Sequence, residues 1–155
     1  MLKIPDLNSY EKNILNELAL ISPRRRAHKV MHKPGSYHNE VFCGLLKGTY
    51  MRPHLHGDIE KIEYIYILDG NLGIVFFDND GNANNCRVLD SKVYPLVRIP
   101  AFTWHTYVPL SDFVLTFETM DGIYEPNSWK DFPAWAPEEN TAEALIFTKQ
   151  LEQLF

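Results

Sequence analysis

The stretch Gly48–Gly70, GTYMRPHLHGDIEKIEYIYILDG, sets two histidines one residue apart, ahead of acidic residues and an aromatic–aliphatic run, with a glycine at each end. On an extended strand, residues two apart project from the same face. His54 and His56 are therefore expected to project together, with Arg52 and Tyr50 beside them, while Pro53 and Leu55 point the other way. Imidazoles about 6–7 Å apart along a strand can tilt onto one cation. Inside a barrel, further ligands can come from other strands. With six histidines in the chain, chance alone gives some His-x-His pair about one time in four, so the pair by itself is weak. Its frame is more specific: Gly48 lies six residues before His54, and Glu63 lies seven before Gly70. Requiring both glycines at preset offsets lowers the chance expectation to about one in a thousand.

Outward from this stretch, a period of two runs from about residue 36 to 119. Runs rich in Val, Ile, Tyr and Phe predict strands at 41–46, 49–56, 61–68, 71–78, 85–90, 96–99, 104–108 and 113–119. DNDGN at 78–82 marks a turn between two of them. Short, evenly spaced strands with no helices between them imply an all-β sandwich or small barrel. Before them, residues 8–21 predict a helix capped by Asn8 with Glu11 as reciprocal partner. Tyr10, Ile14, Leu15, Leu18 and Ile21 form its apolar row, and Pro23 stops it. Residues 120–140, with three prolines and two tryptophans, have no period and are expected to pack across one end of the barrel. A second helix is expected after Asn140, with Glu143 at the capping-box position and Leu145, Leu151, Leu154 and Phe155 on its apolar side. The whole, residues 1–155, reads as one domain.

The formal charge of −5 argues against a groove that tracks nucleic-acid phosphates. The basic run Arg24–Arg26 reads as a solvated turn after the helix, with an anion-binding corner at a pocket mouth as the alternative. Two cysteines without motif context, Cys43 and Cys86, fit a reducing compartment. The N-terminus lacks the apolar core of a signal peptide, and no run is long enough to span a bilayer, so a cytoplasmic location is expected. There is no phosphate-cradling glycine loop, no G-x-S-x-G and no paired C-x-x-C.

The frame Gly48, His54, His56, Glu63 and Gly70 resembles the first motif of the cupin superfamily, apart from a gap of six residues between His56 and the glutamate, where three or four are usual. Glu60 has the usual spacing from His56 but not to Gly70. Glu63 is preferred because EYIYILDG begins a strand whose first residue points inward with Ile65 and Ile67. IPAFTWHTYVP resembles the second motif, with Pro100 ahead of His105. There Tyr94, Phe102 and Pro109 stand where glycine, glycine and asparagine are common. A histidine on a surface strand is the alternative reading of His105. The stretches SPRRRAHKVMHKPGSYHNEVFCGLLKGTYMRPHLH and FETMDGIYEPNSWKDFPAWAPEE resemble WbuC-type cupin metalloproteins, small bacterial proteins often found with O-antigen polysaccharide genes. The likeness runs over about residues 22–139.

This resemblance implies a small cupin jelly-roll barrel (a double-stranded β-helix) with flanking N- and C-terminal helices, and a metal held by His54, His56, Glu63 and His105. It names no reaction. Three imidazoles and a carboxylate suit Zn, Fe(II), Mn or Ni alike, and an open coordination position would allow Lewis-acid chemistry. Arg52 is the candidate for an anionic substrate group, or else a rim arginine meeting solvent or Glu60. Tyr50 and Tyr107 would line the same cavity, as binding platform or as core. Trp104, of opposite parity to His105, is expected outside the barrel, and His28, His32 and His38 at a surface or interface. The expected function is a metal-dependent isomerase, epimerase or oxygenase acting on a sugar or sugar nucleotide of surface polysaccharide assembly. The alternatives are a metal-stabilised binding or sensing module and a metal-free barrel with a histidine general base. Cupin barrels commonly pair, so a homodimer is expected.

Overall fold

The computed structural model describes residues 4–155. Helix α1 (Ser9–Ile21) precedes eight strands and helix α2 (Ala142–Glu152) follows them. The strands are β1 (Arg26–Val30), β2 (His38–Leu46), β3 (Glu63–Asp69), β4 (Asn71–Phe77), β5 (Ala83–Asp90), β6 (Leu96–Ile99), β7 (His105–Pro109) and β8 (Phe113–Asp121). A five-stranded sheet, ordered β1-β2-β8-β3-β6, faces a three-stranded sheet, β5-β4-β7, and the strand pairs are antiparallel. This is the jelly-roll architecture that the period-two pattern predicts. No helix among the described residues is long and apolar enough to cross a membrane.

Alternation along the strands makes two sides of each sheet. Cys43, Leu45, Ile65, Ile67, Leu72, Ile74 and Val114 point between the sheets and form the central core. Phe42, Leu46, Leu115 and Phe117 point outward from the larger sheet onto Leu15 and Ala19 of α1. Val75, Phe77 and Val108 point outward from the smaller sheet onto Leu151, Phe147, Trp104 and Trp135. Trp104 thus lies outside the barrel, as its parity predicts.

Helix α1 has the predicted capping box: Asn8 Oδ1 accepts from Glu11 N at 3.0 Å, and Glu11 Oε2 accepts from Asn8 N at 3.1 Å. Its buried row differs from the predicted one. Leu15 and Ala19 face the sheet, whereas Tyr10, Leu18 and Ile21 are exposed. The approach is close because Gly44 leaves room: a Cβ there would lie 3.3 Å from that of Leu15. Helix α2 is capped by Thr141, one residue later than expected, since Asn140 has a left-handed φ of 65°. Its inner row is Ala144, Thr148 and Leu151, while Leu145, Leu154 and Phe155 remain exposed to differing degrees. Small residues let this helix lie close to the smaller sheet, and Thr148 spends its hydroxyl on Ala144 O at 2.7 Å.

Two further expectations are corrected. Residues 26–30 form an edge strand ahead of the predicted barrel, so the run Arg24–Arg26 is not simply a solvated turn. The Arg26 side chain is 1% exposed, and its NH2 donates to Glu139 Oε1 at 2.6 Å while Arg24 Nε donates to Oε2 at 2.8 Å. Residues 49–56 do not form a continuous strand: only His54 and Leu55 make β-bridges, to His105 and Asp131. Face parity therefore does not carry through Pro53, and Met51 joins the central core.

Candidate metal centre

The local structure of the centre begins with its glycines. Gly48 and Gly70 take left-handed φ values of 81° and 75°, and a Cβ at Gly70 would come within 2.5 Å of Phe113 O. Gly70 turns β3 directly into β4. Glu63 then falls at the first, inward-facing position of β3, opposite Ile99 of β6. His105 opens β7 and exchanges two backbone hydrogen bonds of 3.0 Å with His54. The loop carrying His54 and His56 is thereby attached to the smaller sheet, and Glu63 reaches across from the larger one.

His54, His56, Glu63 and His105 are all buried, and one ligand atom from each lies within 4.8 Å of the other three. Each imidazole is oriented by its other nitrogen. His54 Nδ1 is 2.9 Å from Arg52 O, His56 Nδ1 is 2.7 Å from Trp129 O, and His105 Nδ1 is 2.8 Å from Thr103 O. A carbonyl oxygen only accepts, so each Nδ1 must carry the proton, and in the neutral ring Nε2 is a bare lone pair. His54 Nε2 and His56 Nε2 are buried without a hydrogen-bond partner. His105 Nε2 lies 3.0 Å from Glu63 Oε2, and His56 Nε2 lies 3.5 Å from the same oxygen. Bare lone pairs facing a carboxylate oxygen repel unless a proton or a metal cation lies between them. Burial, followed by the positive charge of Lys130, holds His54 well below its ordinary value, which favours the neutral ring. Burial pushes the Glu63 carboxyl up, but the facing His105 and His56 rings outweigh it and hold the group below its ordinary value. Tyr107 donates to Glu63 Oε1 at 2.6 Å, which leaves Oε2 turned toward the rings. The donor set and its orphaned nitrogens fit a divalent cation.

Glu60, the alternative carboxylate, is elsewhere: it is exposed and accepts from Tyr37. Of the residues expected to line a substrate cavity, Tyr107 is interior, but its hydroxyl is used on Glu63. Tyr50 is directed outward, with its hydroxyl donating to Pro137 O at 2.8 Å and its ring against Phe147 of α2. Arg52 lies over the Phe132 ring, 5.0 Å from its centroid. Neither Tyr50 nor Arg52 lines the cavity, because the irregular backbone at 51–53 breaks the parity that linked them to the histidines.

A cavity of about 700 Å³ opens beside Glu63. Its walls come from β1, β2, β8 and the irregular segment after β8, including His28, Cys43, Glu118, Lys130 and Phe132. Sequence reasoning missed Glu118 and Lys130. Glu118 was recoverable in principle, since it alternates inward with Thr116 and Met120, whereas Lys130 lies in a stretch with no period. Burial, then repulsion from Glu63, pushes Glu118 up to about 7. His28 is exposed, as expected, on the open side of this cavity, and partial burial, then the charge of Arg26, lowers it to about 4.

The jelly-roll is shared with solved structures of several proteins. CapF of Staphylococcus aureus, described as a capsular polysaccharide assembling protein, matches with a TM-score of 0.62 at 17% identity over 73% of this chain. The chain spans about a third of CapF, 33% of its length. An oxalate oxidase bound to the substrate analogue glycolate matches at 0.57, with 15% identity over 87% of this chain and 74% of that one. The cupin domain of Schizosaccharomyces pombe Cnp3 matches at 0.51, with 9% identity over 63% and 65%. At these identities the likeness is one of fold, and the fold is that of the cupins. No curated protein sequence matches the chain. One family model matches residues 11–89, over β1 to β5 and three of the four clustered side chains, and the chain belongs to that family, described as a domain of unknown function (DUF6016).

Proposed function

We propose that this protein is a WbuC-type cupin that binds one divalent metal through His54, His56, Glu63 and His105. On this reading it is an enzyme acting on a sugar or sugar-nucleotide intermediate of surface polysaccharide assembly. One observation carries the metal reading: three imidazoles have their Nδ1 protons committed to carbonyl oxygens, leaving bare Nε2 atoms beside a carboxylate. A bound cation would supply Lewis acidity toward a carbonyl or hydroxyl oxygen. Tyr107 holds the carboxylate in one orientation, and the carbonyls of Arg52, Trp129 and Thr103 hold the rings.

Glu63 lines the 700 Å³ cavity, which favours an enzyme with a reachable coordination position over a closed, purely structural site. The polysaccharide setting is supported by the sequence resemblance and by the fold shared with CapF. The metal reading is tested by elemental analysis of protein purified without added metal, wild type beside His54→Ala. Near-stoichiometric metal in the wild type and its loss in the variant are expected, and metal in neither would exclude the reading. Screening the loaded protein against nucleotide sugars tests the substrate class, and the absence of both binding and turnover would overturn it.

A further inference from the structure

The cavity wall holds a cation that the metal cluster does not use. Lys130 is delivered there by a rigid local arrangement: Trp129 O accepts from His56 Nδ1 at 2.7 Å, and Asp131 pairs with Leu55 through hydrogen bonds of 2.9 and 3.1 Å. The residues on either side of Lys130 are thus attached to the loop that carries the His54–His56 pair. Its Nζ makes one polar contact, to the Met51 sulfur at 3.8 Å. A thioether is a weak acceptor and does not replace the water an ammonium gives up. Burial accordingly lowers the proton affinity of Lys130, against the opposing pull of Glu63 and Glu118. Arg24 and Arg26 also line the cavity, but both are paired with Glu139. Among the described residues of this wall, Lys130 is the cation without an ion pair.

A second group on the same wall also lacks a partner. Asn39 donates from Nδ2 to the carbonyls of Tyr37, Met120 and Gly122 at 3.2, 3.1 and 2.6 Å, while its Oδ1 is buried with no donor. Tyr124, Trp129 and Phe132 add aromatic surface. The cavity thus offers an unpaired cation, an unpaired acceptor and aromatic faces, in a volume of the usual ligand-site range. A polyhydroxylated ring with one negative charge matches all three: hydroxyls donate, the ring's C–H face packs on aromatics, and the anion pairs with an ammonium.

We propose that Lys130 is the anchor for the anionic group, carboxylate or phosphate, of a monosaccharide-sized acidic sugar seated beside the cluster. This deepens the sugar reading given above and rests on it for the neighbouring metal. The test is calorimetric titration of metal-loaded wild type, Lys130→Met and Lys130→Arg with glucuronate, glucose 6-phosphate and glucose, with metal content measured on each sample. Wild type is expected to bind at least one charged sugar tenfold or more tighter than glucose. Lys130→Met is expected to lose that preference at unchanged metal content, and Lys130→Arg to keep part of it. If Lys130→Met fails to fold, Lys130→Gln takes its place. Equal affinity for charged and neutral sugars, no binding of either charged sugar, or a preference that survives loss of the ammonium with metal in place would overturn the proposal. Absence of metal from the wild type would instead count against the cluster reading, so the two failures are distinguishable.

Discussion

Tyr107 and Glu118 face the same interior, and their environments set opposite tasks for two carboxyl groups. The Tyr107 hydroxyl occupies one oxygen of Glu63 and so fixes which oxygen meets the imidazoles. Losing such an outer partner typically costs about 10–100-fold in metal affinity. Tyr107→Phe should therefore fold normally and bind its metal about 10–100-fold more weakly, as read by titration against a competing chelator. Glu118 accepts from Thr116 Oγ1 at 2.8 Å, yet burial first and Glu63 second outweigh that bond and raise it from an ordinary 4.5 to about 7. Between these values the native chain holds a proton that the unfolded chain has released. Stability therefore falls as pH rises through that window, and this contribution is fully present only below the unfolded value. Glu118→Gln should melt with the wild type near about pH 5 and above it near about pH 8, and parallel melting curves across pH would refute this. The four cluster residues were legible because a spacing motif survives without knowledge of the fold. Tyr50 and Arg52 were misplaced because parity assumed an unbroken strand, whereas residues 49–53 are irregular.

Among the elements, β1 was the one missed, and the reason is physical. Its inward residues Arg26, His28 and Val30 face a cavity rather than a packed core, so RAHKV lacks the apolar alternation by which strands are found. Strands with a packed inner face, such as β3 and β4, stood out within one or two residues of their ends. The segment after β8 was invisible as structure because it is held by side-chain and isolated backbone contacts rather than by a repeating pattern. Arg26 is the chief of these contacts, a nearly buried guanidinium that also donates to Tyr50 O at 2.8 Å. Removing one member of a buried ion pair costs about 3–5 kcal/mol, because the other is left uncompensated. Glu139 is partly exposed, at 24% of its side chain, which brings the expectation for Glu139→Ala to about 2–3 kcal/mol. Urea unfolding would measure it, and a change under about 0.5 kcal/mol would mean that the pair is immaterial to the fold.

For the molecule as a whole, the cluster sits where the two sheets are joined: Glu63 from one, His105 from the other, and the His54–His56 loop between them. A cation bound to all four would cross-link the sheets in the native state and find no such set in the unfolded chain. At about a hundred times its dissociation constant, a ligand of this kind adds about 2.7 kcal/mol. For a chain of 155 residues that corresponds to a rise in Tm of about 5–10 °C. Adding Zn or Mn to chelator-stripped wild type should produce this rise, and the same addition to His54→Ala should not. An equal shift in both would point to binding at some other place.

Of three consecutive residues, Trp129 holds the imidazole of His56, Lys130 is the wall cation and Asp131 pairs with Leu55. Whatever pulls on the ammonium of Lys130 is felt one peptide away by the carbonyl that holds the His56 proton. With a metal at one position and an anion at the other, the two occupancies would be coupled, and by thermodynamic reciprocity each occupant would alter the other's affinity by the same factor.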